Sequence, residues 1–465
     1  MNTSPCIRSI LLAASLAAAP LGIAPLAGAA DLDSIYQQAL KNDPVIREAE
    51  ANRLAARESK PQALSLLLPQ VTAGGRYDDS KSDGTSTFID PGSPPVPFQQ
   101  NRDGTAKSWN LTLRQSVFRW QNWAALKRAD AERAQAEADY HAAQQDLILR
   151  TSDAYFNVLA AQDTLEAAQA AHDAIERQLE QSEKRFEVGL IAVTDVQEAK
   201  AAFDSATAAL IQAKRNLATA QEQLRELTGN TFDELAKPGA DMPLAGPDPA
   251  NADEWVKLAM DQNAQLISSR LAADITRQDV SSERGGHFPS LDLVVSRSGF
   301  KTKSDITGTT IGQDDSDSRD TTASLQVTVP IYSGGATSSR VRQAQYRHQA
   351  ARERLERTAR ETERETRDAY LGVNAEVARV QSLRQAVESA NTALQATEAG
   401  YEVGTRTSVD VLQARQRLFE AQTNYARSRY DYLLNVLRLR LAAGTLDDHG
   451  IADVNALLTE NVKVK

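Results

Sequence analysis

Two hydrophobic periods alternate along this chain. Over long stretches, apolar and small residues recur at spacings of three and four, as at Leu147, Thr151, Ala154, Tyr155, Val158 and Leu159, and again at Val373, Val377, Val380, Leu383 and Val387. That period marks one face of a helix, and the remaining faces are rich in Gln, Glu, Arg and Ala. Narrow stripes of this kind favour helix-to-helix seams with water on two sides, as in a hollow helical cylinder. A solid four-helix bundle or a dimeric coiled coil has the same periodicity. Elsewhere the period drops to two. Trp109, Leu111, Leu113 and Val117 alternate with Ser108, Asn110, Thr112, Arg114 and Ser116; Ala323, Leu325, Val327 and Val329 alternate with Ser324, Gln326 and Thr328. Leu291, Leu293 and Val295 form a third such run, and Val71, Ala73 and Tyr77 a weaker fourth.

The predicted elements are therefore a helix over about 32–67, halted before Pro69, then two strands, a very long helix over about 123–187 and a return helix from Thr194 or Asp195 to about 227. Gly189 and Gly229 close the two last helices in the left-handed position. The order then repeats, with helices over about 254–284, 337–402 and 409–443. The long helix of the first half would span roughly 97 Å, and the two shorter ones stacked end to end about the same length. The fold class is mainly α with a small β part: a rod about 100 Å long, strands at one end and tight helical turns at the other. Each strand is near the ~9–11 residues of a tilted membrane strand. The segments 79–107 and 301–320, polar and rich in Pro, Gly, Ser and Asp, read as long irregular loops.

The two halves match in sequence. Arg185-Phe186-Glu187-Val188-Gly189 answers to Gly400-Tyr401-Glu402-Val403-Gly404, Thr194-Asp195-Val196 to Val409-Asp410-Val411, and Asp153-Ala154-Tyr155 to Asp368-Ala369-Tyr370. All three pairs share one offset, which chance similarity between alanine-rich helices does not produce. The organisation that follows is a signal peptide over 1–30, a first structural repeat over 31–229, a linker over 230–251, a second repeat over 252–445 and a tail over 446–465. The first segment carries Arg8, a short apolar run and the small residues Gly28-Ala29-Ala30 before the cleavage point.

Composition narrows the chemistry. A formal net charge of −10 and the lack of a basic stripe with aromatics argue against nucleic acid. The single cysteine, Cys6, lies in the signal segment, so disulfides and thiolate sites are not expected. His141, His172, His287, His348 and His449 are scattered without metal-ligand spacing, and no phosphate-cradling glycine loop is present. No cofactor, no metal and no enzymatic activity are expected. Four alternating strands cannot close a barrel alone, and an open edge is not tolerated in lipid, so a membrane role requires an oligomer. A soluble half-buried sheet would alternate in the same way.

The segment from Arg185 to Gln197, and that from Gly400 to Leu412, closely resemble the two periplasmic hairpins of the TolC family. Leu68-Pro69-Gln70-Val71 and Val329-Pro330-Ile331-Tyr332-Ser333-Gly334-Gly335 are similar to that family's strand boundaries. The resemblance implies an outer-membrane channel-tunnel: a homotrimer with a twelve-stranded transmembrane β-barrel in outer-membrane lipid and a long α-helical tunnel into the periplasm. It implies partners, namely a periplasmic adaptor and an inner-membrane ABC or proton-driven exporter, and a passive role in type I protein secretion or small-molecule efflux. It implies irregular belt structure for the linker and tail. It also implies a gate latch at Thr194, Asp195, Tyr401 and Arg406. From the residues alone, Asp195 suits a helix cap and Arg406 a solvated position after a turn. Asp410 matches the outer of two aspartate rings at the family's entrance; the inner position here is Gln413, a departure that leaves one ring of carboxylates. The hairpin tips, Val188, Gly189, Leu190, Val403, Gly404 and Thr405, are the expected adaptor contacts. An adaptor or structural coiled-coil protein is the rival class, but an adaptor would carry one hairpin beside a β-rich domain.

Overall fold

The computed structural model describes residues 30–464, except 90, 91, 93, 240 and 308–312. The signal peptide expected over 1–30 thus lies outside the described residues, save Ala30. The chain begins with three short helices, α1 (Leu32–Asn42), α2 (Pro44–Arg57) and α3 (Ser59–Ser65), and continues into the strands β1 (Gln70–Phe88) and β2 (Val96–Phe118). Then come α4 (Trp120–Glu187) and α5 (Val193–Thr228). After β3 (Glu234–Pro238) the order recurs as α6 (Ala252–Gln262), α7 (Ala264–Arg284), β4 (Ser290–Thr307), β5 (Gln313–Thr328), α8 (Ala336–Glu402) and α9 (Ser408–Ala443). A short α10 (Asp448–Asn455) and β6 (Leu458–Lys463) end the chain.

At 68 and 67 residues, α4 and α8 each run about 100 Å. The shorter helices depart from the sequence expectation in one respect. The run expected over 32–67 is broken at Asp43, and that over 254–284 at Asn263. Each of these residues is extended and caps the next helix, Asp43 accepting from the Val45 N–H and Asn263 from the Leu266 N–H. Asp43 precedes Pro44, whose ring crowds it away from the helical conformation and towards the extended one. Its carboxylate is buried and pairs with Arg150 of α4 at 2.8 Å.

The four strands form one antiparallel sheet in the order β1-β2-β4-β5. Its outer edges, β1 and β5, have no partner strand among the described residues. Opposed residues of an antiparallel pair share a face, so the register can be read row by row. Val71, Leu113, Val295 and Ala323 make one apolar row, and Thr72, Thr112, Ser296 and Thr322 the hydroxyl row on the opposite face. The apolar face runs from Trp109 to Phe118, with Leu111, Val117, Leu325 and Val327 all exposed. At ~3.3 Å per residue and the usual tilt, that stretch gives an apolar band a little over 20 Å tall, the height a lipid-facing barrel wall needs. Trp109 lies across Gly299 on the neighbouring strand, where any side chain would collide with the indole.

The loops expected over 79–107 and 301–320 are instead strand for most of their length. β1 and β2 stay in register from Gln70–Arg114 to Phe88–Val96, and β4 and β5 from Ser290–Thr328 to Asp305–Gln313. These extensions are polar because they rise past the apolar band. Ladder hydrogen bonds hold them, and cross-strand pairs such as Lys301–Asp317 at 3.9 Å and Lys303–Asp315 at 4.0 Å line them.

Most fully buried large side chains gather halfway along the rod, where α1, α4, α9, β3 and the C-terminal tail meet around Tyr155, Phe156, Leu433, Leu437 and Ile451. The belt expected to be irregular is partly regular there. β3 pairs antiparallel with β6, burying Leu235 and Val462, and α10 packs beside them. Tyr155 donates its hydroxyl to the Ala236 carbonyl, and Tyr432 donates to the Ala245 carbonyl at 3.0 Å. Tyr430 donates to the Asp163 carboxylate at 2.6 Å.

Candidate functional site: the hairpin tips and their seam

The end of the rod opposite the strands is made by two hairpins, α4–α5 and α8–α9. Both turn in the same way. Gly189 has φ +75° and Gly404 +79°. In the first, Gly189 N–H donates to the Phe186 carbonyl and Leu190 N–H to that of Arg185, both at 2.8 Å. In the second, Gly404 N–H donates to the Tyr401 carbonyl at 3.1 Å and Thr405 N–H to that of Gly400 at 2.8 Å. This is the Schellman closure, which requires a left-handed residue and hence favours glycine. Val188, Leu190 and Val403 are left 70–76% exposed at the tips.

Thr194 and Asp195 are the second and third residues of α5. The cap expected at Asp195 belongs instead to Ala192, which has no side-chain acceptor. Asp195 lies three positions past the cap, and neither it nor Thr194 makes a side-chain hydrogen bond or ion pair among the described residues. The equivalent residue of α9, Asp410, is engaged. Thr407 caps α9 and forms a reciprocal box with it: the Thr407 N–H and hydroxyl donate to the Asp410 carboxylate at 2.9 and 3.0 Å, and the Asp410 N–H donates to the Thr407 hydroxyl at 3.2 Å. Those bonds, the main-chain one first, hold the Asp410 carboxyl below the usual carboxylate range, and the nearby Arg406 charge adds to the effect. Gln413 is exposed one turn further along α9.

Arg406 is exposed, and its guanidinium makes no hydrogen bond or salt bridge among the described residues; its aliphatic stem packs where a side chain at Gly400 would otherwise sit. The Tyr401 hydroxyl is buried without a partner among the described residues, and its ring takes the Arg185 guanidinium at 5.0 Å. Within one chain, then, the four expected latch residues do not meet one another. Two ties between the hairpins were not anticipated from sequence. One is Arg185 on Tyr401. The other is Arg415 of α9, whose fork reaches Glu398 of α8 at 2.8 Å and the Ala174 carbonyl of α4 at 2.9 Å. Arg185 was visible only as part of the repeat motif, and nothing in the pattern marks Arg415.

No ligand spacing was expected for the histidines, yet His172, Asp173 and Glu176 of α4 bring three donor atoms within 4.8 Å. The spacing of one and four places them on one helix face. His172 stacks at 5.0 Å on Phe203, its Nδ1 lies 3.3 Å from Asp173, and both carboxylates face solvent, so the group reads as a surface cluster.

The model of the family described as outer membrane efflux protein matches residues 35–230 and 255–445. The chain is 38% identical over 449 residues to the outer membrane protein TolC of Escherichia coli, covering 95% of this chain and 87% of that protein. It is 37% identical over 428 residues to the TolC protein of Vibrio cholerae, covering 92% and 94%. Among solved structures, the outer membrane channel CmeC of Campylobacter jejuni superposes with a TM-score of 0.71 at 18% identity, covering 92% of this chain and 90% of that one. Helical hairpins closed by glycine, a sheet with an apolar outer band and these matches over nearly the whole length agree: the chain belongs to the outer membrane efflux protein family and is an outer-membrane exit duct for export.

Proposed function

We propose that three copies of this chain close into one passive channel, a twelve-stranded barrel above a helical tunnel, serving a tripartite system with a periplasmic adaptor and an inner-membrane ABC or proton-driven exporter. One observation carries the reading: the apolar-banded four-stranded sheet ends in two edges, β1 and β5, with no partner strand among the described residues, and lipid does not tolerate such edges. Pairing β5 of one copy with β1 of the next removes every edge. The repeats over 31–229 and 252–445 each supply one strand pair and one hairpin, and 230–251 with 446–465 supply the belt. The duct needs no cofactor and performs no chemistry of its own, so the pump selects the cargo, protein or small molecule.

The periplasmic tip is the gate in this reading. The Asp195 and Arg406 side chains each lack a hydrogen-bonding partner among the described residues, as does the Thr194 hydroxyl, and the buried Tyr401 hydroxyl is unpartnered there too. An arginine-to-carboxylate bond there makes a two-state latch. Asp410 lines the entrance as one ring of three carboxylates, with Gln413 neutral behind it. Val188, Gly189, Leu190, Val403, Gly404 and Thr405 meet the adaptor. Reconstitution in planar lipid bilayers tests the gate. Wild-type protein should form low-conductance pores, and Tyr401→Phe combined with Arg406→Ser should raise the conductance several-fold. An unchanged conductance in that variant would remove the latch.

A further inference from the structure

We propose that Arg415 is a second clasp of the closed tip, acting above the latch by tying the α8–α9 hairpin to α4. This rests on the reading of the tip as a gate. Arg415 lies more than one turn beyond Asp410 on α9 and is half-buried. Its Nε and Nη2 donate to one Glu398 carboxylate oxygen at 3.1 and 2.8 Å, and its Nη1 to the Ala174 carbonyl at 2.9 Å. One planar fork thus spans three helices, which a lysine, a single point donor, cannot do.

The clasp matters because the seam beside it is short of bonds. From Ala174 to Arg185, α4 runs alongside the second hairpin, held by Arg415 at the upper end and by the Arg185–Tyr401 contact at the lower. Between these ends lie Gln178 and Ser182, both buried, with the Gln178 Nε2 and Ser182 Oγ unpartnered. Ser408 Oγ and the Tyr401 hydroxyl are buried and unpartnered on the other hairpin. Buried polar atoms without partners work against a closed seam, so closure depends on its ends. Arg415 supplies the only charge-assisted hydrogen bond among the described residues that joins α4 to the second hairpin near the tip.

The test uses the full chain in planar bilayers, with oligomer mass and helix content measured on each preparation. Arg415→Ala should raise the open fraction about tenfold, the effect of one charge-assisted bond. Arg415→Lys should fall between it and wild type. Glu398→Gln, which leaves the bond to Ala174 in place, should open the channel less than Arg415→Ala. If Arg415→Ala assembles and conducts like wild type while Tyr401→Phe with Arg406→Ser opens, the clasp is wrong and the gate stands. If neither opens, the gate reading falls and the clasp with it. Should Arg415→Ala fail to assemble, Arg415→Lys decides, and wild-type conductance in that variant overturns the proposal.

Discussion

The guanidinium of Arg185 lies 5.0 Å above the ring of Tyr401, joining the last turn of one long helix to the last turn of the other. The tyrosine hydroxyl takes no part, since it is buried without a partner among the described residues. The ring and the hydroxyl of Tyr401 therefore do separable things. A cation over an aromatic face contributes roughly 0.5–1 kcal/mol where it is partly exposed. Arg185→Ala should accordingly shift the open–closed balance about two- to five-fold per chain towards open. Single-channel recording reads this directly, and a conductance equal to wild type would show that the contact does not hold the tip.

Asp410 should govern ion preference more than closure. Asp410→Asn removes one charge per chain and is expected to lower cation preference and weaken block by multivalent cations from the periplasmic side, with little change in resting conductance. The hydrogen bonds from Thr407 hold its carboxyl below the usual range, so the charge persists as pH falls through 3.8. Stability from this bond is present above that range and lost only when acid reaches the depressed value. Reversal potentials measured from pH 7 to pH 4 should keep their cation preference in the wild type; loss well above pH 4 would assign the ring elsewhere.

The tips offer a cleaner separation of assembly from docking. A side chain added at Gly189 or Gly404 meets nothing within 4 Å in its own chain. The cost is the left-handed backbone alone, on the order of 1 kcal/mol. Gly189→Asp and Gly404→Asp should therefore assemble normally yet abolish export, by placing a charge among exposed Val188, Leu190 and Val403. Normal export in both variants, assayed in cells, would rule out these turns as the adaptor contact.

The parts of this architecture written in local chemistry were readable in advance. Gly189, Gly229, Gly404 and Gly444 all have φ near +75°, and a residue that must adopt that conformation announces itself as glycine. The break at Asp43 was equally written, in the following proline, but a strong helical period on both sides concealed it. Strand length was not legible. Beyond Trp109 the strands carry no apolar alternation, because nothing there faces lipid, and a polar strand looks like a loop. The seam ties were illegible for a different reason. Whether Arg415 reaches Ala174 depends on the register of helices separated by 241 positions, which no short-range pattern encodes. The belt's regular core was illegible for the same reason: it joins Tyr155, Leu235, Leu433 and Ile451, residues far apart in the chain, where irregular structure was expected.

Asp163, in that belt, gives a pH-dependent prediction. Burial raises its carboxyl above 3.8, partly offset by the bond from Tyr430 and by Lys237 and Arg429. The folded chain holds this proton more tightly than the unfolded one. Its contribution is therefore full below the ordinary carboxylate value and lost as pH rises through the raised one. Asp163→Asn keeps an acceptor for Tyr430 without the charge. It should raise the apparent thermal midpoint at pH 7, with the gain vanishing below pH 3.8. A variant less stable than wild type at pH 7 would mean that the paired carboxylate stabilises the belt.

Ring closure is the claim on which the rest depends, and the mass of the purified protein in mild detergent tests it most directly. Light scattering corrected for detergent should give three times the chain mass, with circular dichroism retaining the strand signal, because only closure satisfies the free edges of β1 and β5. A monomeric mass with strand content intact would contradict it.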